Sequence, residues 1–156
     1  MQTILLVEDE ENDVFFMQRA LKKAAINNPL QIAHDGQEAI NYLQGSGEFA
    51  DRKKYPLPGL VLLDLKLPHV KGLDVLKWIR GYEEVQNIIV IILTSSKLQP
   101  DIDEAYRLGA NAYLVKPATS DKLADMVTLI KQFWLDLNHP PSLHQPTEPE
   151  LAGKND

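Results

Sequence analysis

Four short apolar runs in this chain each end abruptly at a charged or hydroxyl-bearing residue, and this pattern constrains the fold more than any other feature. The runs are residues 4–7 before Glu8 and Asp9, 60–63 before Asp64, 88–93 before Thr94, and 112–115 before Lys116. Such runs are typical of strands buried in a parallel sheet. Because the carboxyl ends of parallel strands share one edge, we expect three carboxylates, a hydroxyl and an ammonium to lie together there.

Stretches with helical spacing of apolar residues separate the runs. The first, for example, has Val14, Met17 and Leu21 in register, and Thr119 or Ser120 is placed to cap the last. A further strand over residues 30–34 completes five alternations of strand and helix. This alternation predicts a doubly wound α/β domain with a five-stranded parallel sheet and five helices.

Three clustered carboxylates must either bind a proton or a cation. Two like charges 4 Å apart repel by roughly 4 kcal/mol at an effective dielectric of about 20. Magnesium suits such a site, because it uses one or two carboxylates, keeps several waters and accepts phosphate oxygens as ligands. A neutralised site of this kind would allow Asp64 to act as a nucleophile toward a phosphoryl group.

The same motifs resemble the receiver domain of two-component response regulators. They comprise the acidic pair Glu8-Asp9, Asp64 in an Asp-x-x-Leu-Pro-x-x-x-Gly loop, Thr94, and Lys116-Pro117, and the resemblance covers about residues 3–137. It implies a flavodoxin-like fold with strand order 2-1-3-4-5. Among receivers, the chain is most similar to stand-alone regulators paired with bacterial and cyanobacterial phytochromes.

The resemblance also implies roles for the acidic residues of the edge. Asp64 would be the phosphoacceptor, and Asp9 and Asp64 would bind Mg²⁺ directly. Glu8 would bind the ion through water, and Lys66 through its backbone carbonyl. Glu8 stands where many receivers have Asp, which changes the reach of the carboxylate and keeps its charge.

The remaining roles fall on the two strands beyond Asp64. Thr94 and Lys116 would contact the phosphoryl oxygens during catalysis, and Thr94 with Tyr113 would form a switch pair. Pro117 is expected to follow a cis peptide bond. The alternative for Tyr113 is ordinary core packing.

Composition excludes several other functions. The formal charge of -6 argues against a nucleic-acid surface, the absence of cysteine excludes disulfides and thiolate chemistry, and no apolar run reaches membrane-spanning length. Four acids follow the first apolar run, which is unlike a secretory signal. We therefore expect a cytoplasmic protein that contacts neither nucleic acid nor membrane.

Two segments lie outside the repeating pattern. The segment between Leu43 and Leu60 holds Gly, Pro and a basic trio, and is either a solvated surface loop or a partner-recognition loop. Residues 139–156 hold four of the ten prolines and few apolar groups. We predict a receiver domain over residues 1–138 and a disordered tail over 139–156.

The predicted function is a single-domain response regulator that takes a phosphoryl group on Asp64 from a sensor histidine kinase. It would catalyse only its own phosphorylation and dephosphorylation. We expect a homodimer through the fourth helix, fifth strand and fifth helix, with Phe133 and Trp134 at that face or in the core. The alternatives are an Asp-nucleophile phosphatase, disfavoured because Lys66 stands where a second acid is needed, and a scaffold that is never phosphorylated.

Overall fold

Five parallel strands in the order β2-β1-β3-β4-β5 form the sheet, as predicted. The computed structural model describes residues 1–143 of the 156-residue chain. The strands are β1 (Thr3–Val7), β2 (Leu30–Ala33), β3 (Pro58–Leu63), β4 (Ile89–Thr94) and β5 (Ala112–Val115). The helices are α1 (Glu11–Lys23), α2 (Gly36–Gln44), α3 (Gly72–Gly81), α4 (Gln99–Arg107) and α5 (Ser120–Ile130).

The central strands are buried on both faces, so the core has two layers. The side chains of alternate residues point to opposite faces of a strand. Leu5, Val61 and Ile92 belong to a layer covered by α2, α3 and α4. Ile4, Leu62 and Ile91 belong to a second layer, covered by α1 and α5. Sandwiching between helices explains why these strands read as continuous apolar runs.

The segment between α2 and β3 is folded onto the domain by its own side chains. Phe49 is buried in a short 3₁₀ turn, and its ring centroid lies 5.3 Å from that of Tyr42 and 5.1 Å from that of Tyr55. The guanidinium of Arg52 donates to the carbonyls of Tyr42 at 2.8 Å and Leu43 at 2.7 Å. Arg52 therefore caps the last carbonyls of α2.

The carboxyl-terminal part of the described chain continues past α5. A π-helical turn, Lys131–Leu137, follows α5 directly. Pro140 and Leu143 then line a cavity of about 330 Å³ near the amino-terminal end of β1, and Leu143 packs on the core layer of α2 to α4. Pro140, Pro141 and Leu143 therefore lie against the domain. Residues 144–156 of the predicted tail lie outside the described part, and the boundary at residue 138 stays a prediction.

The helices described within residues 1–143 lack the combination of length and apolar character that a transmembrane span requires.

Candidate functional site

The hydrogen-bond ladder of the sheet runs one step past the strands and positions the acidic residues. The amide of Glu8 donates to the carbonyl of Ala33 at 3.0 Å, and the amide of Asp64 donates to the carbonyl of Val7 at 3.1 Å. The amide of Lys116 likewise donates to the carbonyl of Thr94 at 2.8 Å. The backbone at the carboxyl edge is therefore held by the same pairing that builds the sheet.

Glu8, Asp9 and Asp64 converge into a carboxylate trio. One oxygen of each lies within 4.8 Å of the others, and Glu8 and Asp64 are buried. Asp9 Oδ1 is buried and has no hydrogen-bond partner in the described part of the chain. A buried carboxylate oxygen without a donor is costly unless a cation or water satisfies it. All-oxygen donors with an unsatisfied member fit a hard divalent ion such as Mg²⁺.

Lys116 supplies the positive charge of the site. Its Nζ lies 2.9 Å from Glu8 Oε2, 3.0 Å from Asp64 Oδ2 and 3.0 Å from Asp13 Oδ2. Burial would lower the pKa of this ammonium, but hydrogen bonds to Glu8 and the charge of Asp64 outweigh burial and raise it. Lys116 is therefore a permanent cation in the physiological range.

The pKa values of the two buried carboxyl groups, Glu8 and Asp64, are shifted in opposite directions. Burial, together with a hydrogen bond to Asp64, raises the pKa of Glu8 to about 8. Burial also acts to raise the pKa of Asp64, but the hydrogen bond from Glu8 and the charge of Lys116 prevail and lower it. At neutral pH without a cation, the proton resides on Glu8 and Asp64 is the ionised member.

The loop between Asp64 and α3 is held tightly beneath the trio. The amide of Lys66 donates to Asp64 Oδ1 at 3.2 Å, while the Lys66 side chain is exposed. The amide of Gly72 closes the loop by donating to the carbonyl of Leu65 at 3.1 Å. The loop motif thus fixes the rotamer of the Asp64 carboxylate as well as its backbone.

Thr94 and Tyr113 lie on the same face of the sheet on neighbouring strands, because Thr94 pairs with Val115 and Ile92 with Tyr113. Thr94 is fully buried, and its Oγ1 has no partner within residues 1–143. The Tyr113 hydroxyl donates to the carbonyl of Ser96 at 3.0 Å. The threonine hydroxyl is thus free to donate to an incoming oxygen, while the tyrosine is tied to the loop after β4.

Two features of the site differ from the sequence prediction. The prediction of a cis bond before Pro117 is wrong, because no peptide bond in the described part of the chain is cis. The trans form is the intrinsically preferred one by about 0.5–1 kcal/mol, and from it Lys116 already reaches its carboxylate partners. Asp13 was not expected at the site, since an acid in a first helical turn has a sufficient explanation in the helix dipole.

The sequence and the fold both match known proteins. Residues 4–128 match the response regulator receiver domain family, so the chain belongs to that family. Response regulator Rcp1 of Synechocystis sp. is 38% identical over 135 residues, which are 86% of this chain and 90% of Rcp1. The probable methanogenesis regulatory protein FilR2 of Methanothrix harundinacea is 36% identical over 141 residues, covering 88% of this chain and 86% of FilR2.

Solved structures agree with this assignment. The crystal structure of the Mn²⁺-bound form of Rcp1 has a TM-score of 0.82 at 37% identity, covering 91% of this chain and 100% of that chain. The crystal structure of the phosphorylated cyanobacterial phytochrome response regulator RcpA has a TM-score of 0.84 at 35% identity, covering 90% and 99%.

Proposed function

We propose that this chain is a response regulator in which Asp64 accepts a phosphoryl group from a sensor histidine kinase. The observation that carries the proposal is the position of the Asp64 carboxylate, which is buried beside two further acids and lies 3.0 Å from the ammonium of Lys116. A nucleophilic carboxylate needs its charge kept and its surroundings made attractive to an anion. The lowered pKa and the Lys116 contact supply both.

The transfer step follows from the positions of the side chains. An Asp64 oxygen attacks phosphorus, and a P–O bond forms as the bond to the donor histidine nitrogen breaks, with the electron pair leaving on that nitrogen. The ammonium of Lys116 contacts the phosphoryl oxygens. The unpaired hydroxyl of Thr94 donates a hydrogen bond to another phosphoryl oxygen. Glu8, Asp9, Asp64 and the Lys66 carbonyl would hold Mg²⁺, and the charge of the ion would offset those of the carboxylates and the phosphoryl oxygens.

The signal would leave the site through Thr94 and Tyr113. If the Thr94 hydroxyl moves toward the phosphoryl group, it vacates space on the face that it shares with Tyr113. The tyrosine hydroxyl already holds the Ser96 carbonyl, so its ring position is tied to the loop that leads into α4. A small shift at Thr94 is therefore coupled to the surface around α4 and β5.

The kinase partner proposed here is phytochrome-like. The support is the similarity to RcpA, which is described as a cyanobacterial phytochrome response regulator. A partner of that kind would place the chain in the cytoplasm. The net charge of -6 supports a regulator that contacts proteins rather than nucleic acid.

The proposal predicts a stoichiometric covalent change at one residue. Incubation with Mg²⁺ and a small acyl-phosphate donor is expected to add one phosphoryl group, and Asp64→Asn is expected to abolish the gain. Intact-mass spectrometry with and without a chelator measures both. Asp74→Asn, at an exposed aspartate of α3, is the matched control and should be modified normally.

Two outcomes would contradict this assignment. Absence of modification in the wild-type protein would favour a scaffold that is never phosphorylated. Sustained turnover of a chromogenic phosphoester would favour a phosphatase, the alternative disfavoured by Lys66 at the position of the second acid.

We propose in addition that a second copy of the chain binds the face formed by α4, β5 and α5. Apolar side chains are exposed along this face and into the π-helical turn, with Leu129 65% and Phe133 52% exposed. Leu129 and Phe133 line a surface groove, and Lys122 and Asp125 border it. In a two-fold contact, the lysine of one copy can meet the aspartate of the other, so the face is complementary to itself.

Phe133→Glu is expected to weaken self-association by about 100-fold or more, as loss of a central aromatic anchor typically does. Phe15 on α1 is 53% exposed, so Phe15→Glu is a control with matched exposure that should leave association unchanged. Sedimentation equilibrium, with and without prior phosphorylation, measures the effect. A wild-type protein that stays monomeric in both states would disprove the proposed dimer.

A further inference from the structure

Lys116 has a third carboxylate partner, which comes from a different part of the fold than the first two. Asp13 is the third residue of α1, and its Oδ2 lies 3.0 Å from Lys116 Nζ. Its side chain is 44% exposed, compared with 3% for Glu8 and 6% for Asp64. An ammonium has three protons to donate, and here one oxygen from each of three acidic side chains accepts them.

The three partners are not equivalent. Glu8 and Asp64 belong to the carboxylate trio, and each also accepts a hydrogen bond from Lys116. Asp64 is also the proposed nucleophile, so its contact with Lys116 must change when its oxygen bonds to phosphorus. Asp13 lies outside the trio and forms no bond to phosphorus in the proposed transfer. Its contact with Lys116 is therefore the one that can persist through the reaction.

We propose that Asp13 is a positioning residue that holds the Lys116 ammonium over Asp64 during phosphoryl transfer. This inference rests on the proposed function. A lysine ammonium is a point charge on a flexible four-carbon stem, so its place depends on what it contacts. Val14 and Met17 bury α1 against the sheet, which makes Asp13 a fixed point beside the edge.

The competing explanation is that Asp13 only complements the positive end of the helix dipole. Glu11 lies in the same first turn, is exposed and carries the same charge. Replacing either residue with alanine removes one negative charge from that turn. Only the Asp13 change removes a contact with Lys116, so Glu11→Ala is the matched control.

The test compares rates of phosphorylation by a small acyl-phosphate donor in the presence of Mg²⁺. Asp13→Ala is expected to slow the reaction by about 10-fold, because a loosely held catalytic group loses much of its effect. Asp13→Asn retains an oxygen acceptor for the ammonium and is expected to recover most of the rate. Glu11→Ala should react like the wild type.

A double-mutant cycle separates positioning of Lys116 from other effects. In the Lys116→Ala background, Asp13→Ala should change the residual rate by less than about 2-fold, since its partner is already absent. Mn²⁺ binding, followed by the loss of the free-ion electron paramagnetic resonance signal, should stay within about 2-fold of wild type in Asp13→Ala, because Asp13 is not a member of the trio. Urea denaturation checks that each variant is folded.

Three results would overturn the inference: equal rates for Asp13→Ala and Glu11→Ala, a full 10-fold loss in the Lys116→Ala background, or weaker Mn²⁺ binding that accounts for the slower reaction. If the wild type is modified on Asp64 and Asp13→Ala reacts equally fast, only the role of Asp13 is refuted. If the wild type gains no phosphoryl group, the proposed function is refuted and this inference with it.

Discussion

Gly72→Ala is expected to destabilise the domain by about 3 kcal/mol and to slow phosphorylation of Asp64. A Cβ at this position would lie 2.2 Å from the Asp64 carbonyl oxygen and 2.6 Å from Leu65 Cα. Both are backbone atoms, so a rotamer change cannot relieve the clash, and the start of α3 must move away from the loop. Overpacking of this kind typically costs about 1–3 kcal/mol, and backbone clashes fall at the upper end.

The effect on phosphorylation follows from what the Gly72 contact supports. The amide of Gly72 closes the loop on Leu65, and the adjacent Lys66 amide orients the Asp64 carboxylate. Displacing the loop misplaces Asp64, the proposed nucleophile, and an error of about 1 Å can cost up to about 100-fold in rate. Glycine is thus required at position 72 because backbone atoms of the loop lie too close for a Cβ. At Gly45 and Gly109 the backbone has a positive φ, which favours glycine for a different reason.

Gly81→Ala provides the control within the same helix. Gly81 is the last residue of α3, and a Cβ there would meet no atom within 4 Å. Alanine should change stability by less than about 1 kcal/mol and in the stabilising direction, since glycine is the poorer helix former. Urea denaturation and phosphorylation rates are measured on both variants. A Gly72→Ala protein that unfolds at the wild-type midpoint would disprove the packing argument.

The sequence was sufficient to predict the fold class and most of the residues at the carboxyl edge of the sheet. Both predictions depend on the apolar runs that end at polar residues. A parallel sheet brings the carboxyl ends of its strands to one edge, so a residue that terminates an apolar run has a nearly defined location. Asp64, Thr94 and Lys116 are brought together in this way, although they are far apart along the chain. The strand order itself came from the resemblance, because alternation alone does not specify it.

What the sequence could not predict depends on contacts that have no local signature. Asp13 and Lys116 are 103 positions apart, and the helix dipole already explains an acid at that place in α1. The bond before Pro117 has only a small intrinsic preference, so sequence alone does not decide its isomer. Likewise, the packing of Leu143 on the core layer of α2 to α4 cannot be predicted from the few apolar residues around it in the sequence.

Cation binding is expected to weaken as the pH falls, by roughly 50-fold between about pH 8 and pH 6. Without a cation Glu8 has a pKa of about 8, so it is mostly protonated below that pH. An ion held by Glu8 must displace this proton, so the apparent affinity rises with pH and levels off above the pKa. Asp64, with its lowered pKa, and Lys116, with its raised pKa, keep their charges throughout this interval.

The Glu8→Gln variant tests whether the proton displaced by the cation comes from Glu8. Glutamine keeps an oxygen in place but carries no titrating group, so the variant should bind Mg²⁺ more weakly and with a nearly flat dependence between about pH 8 and pH 6. Titration calorimetry in buffers of different ionisation enthalpy measures both the affinity and the number of protons released. The wild type should release close to one proton at neutral pH, and Glu8→Gln none. An equal slope in the two proteins would mean that the displaced proton does not reside on Glu8.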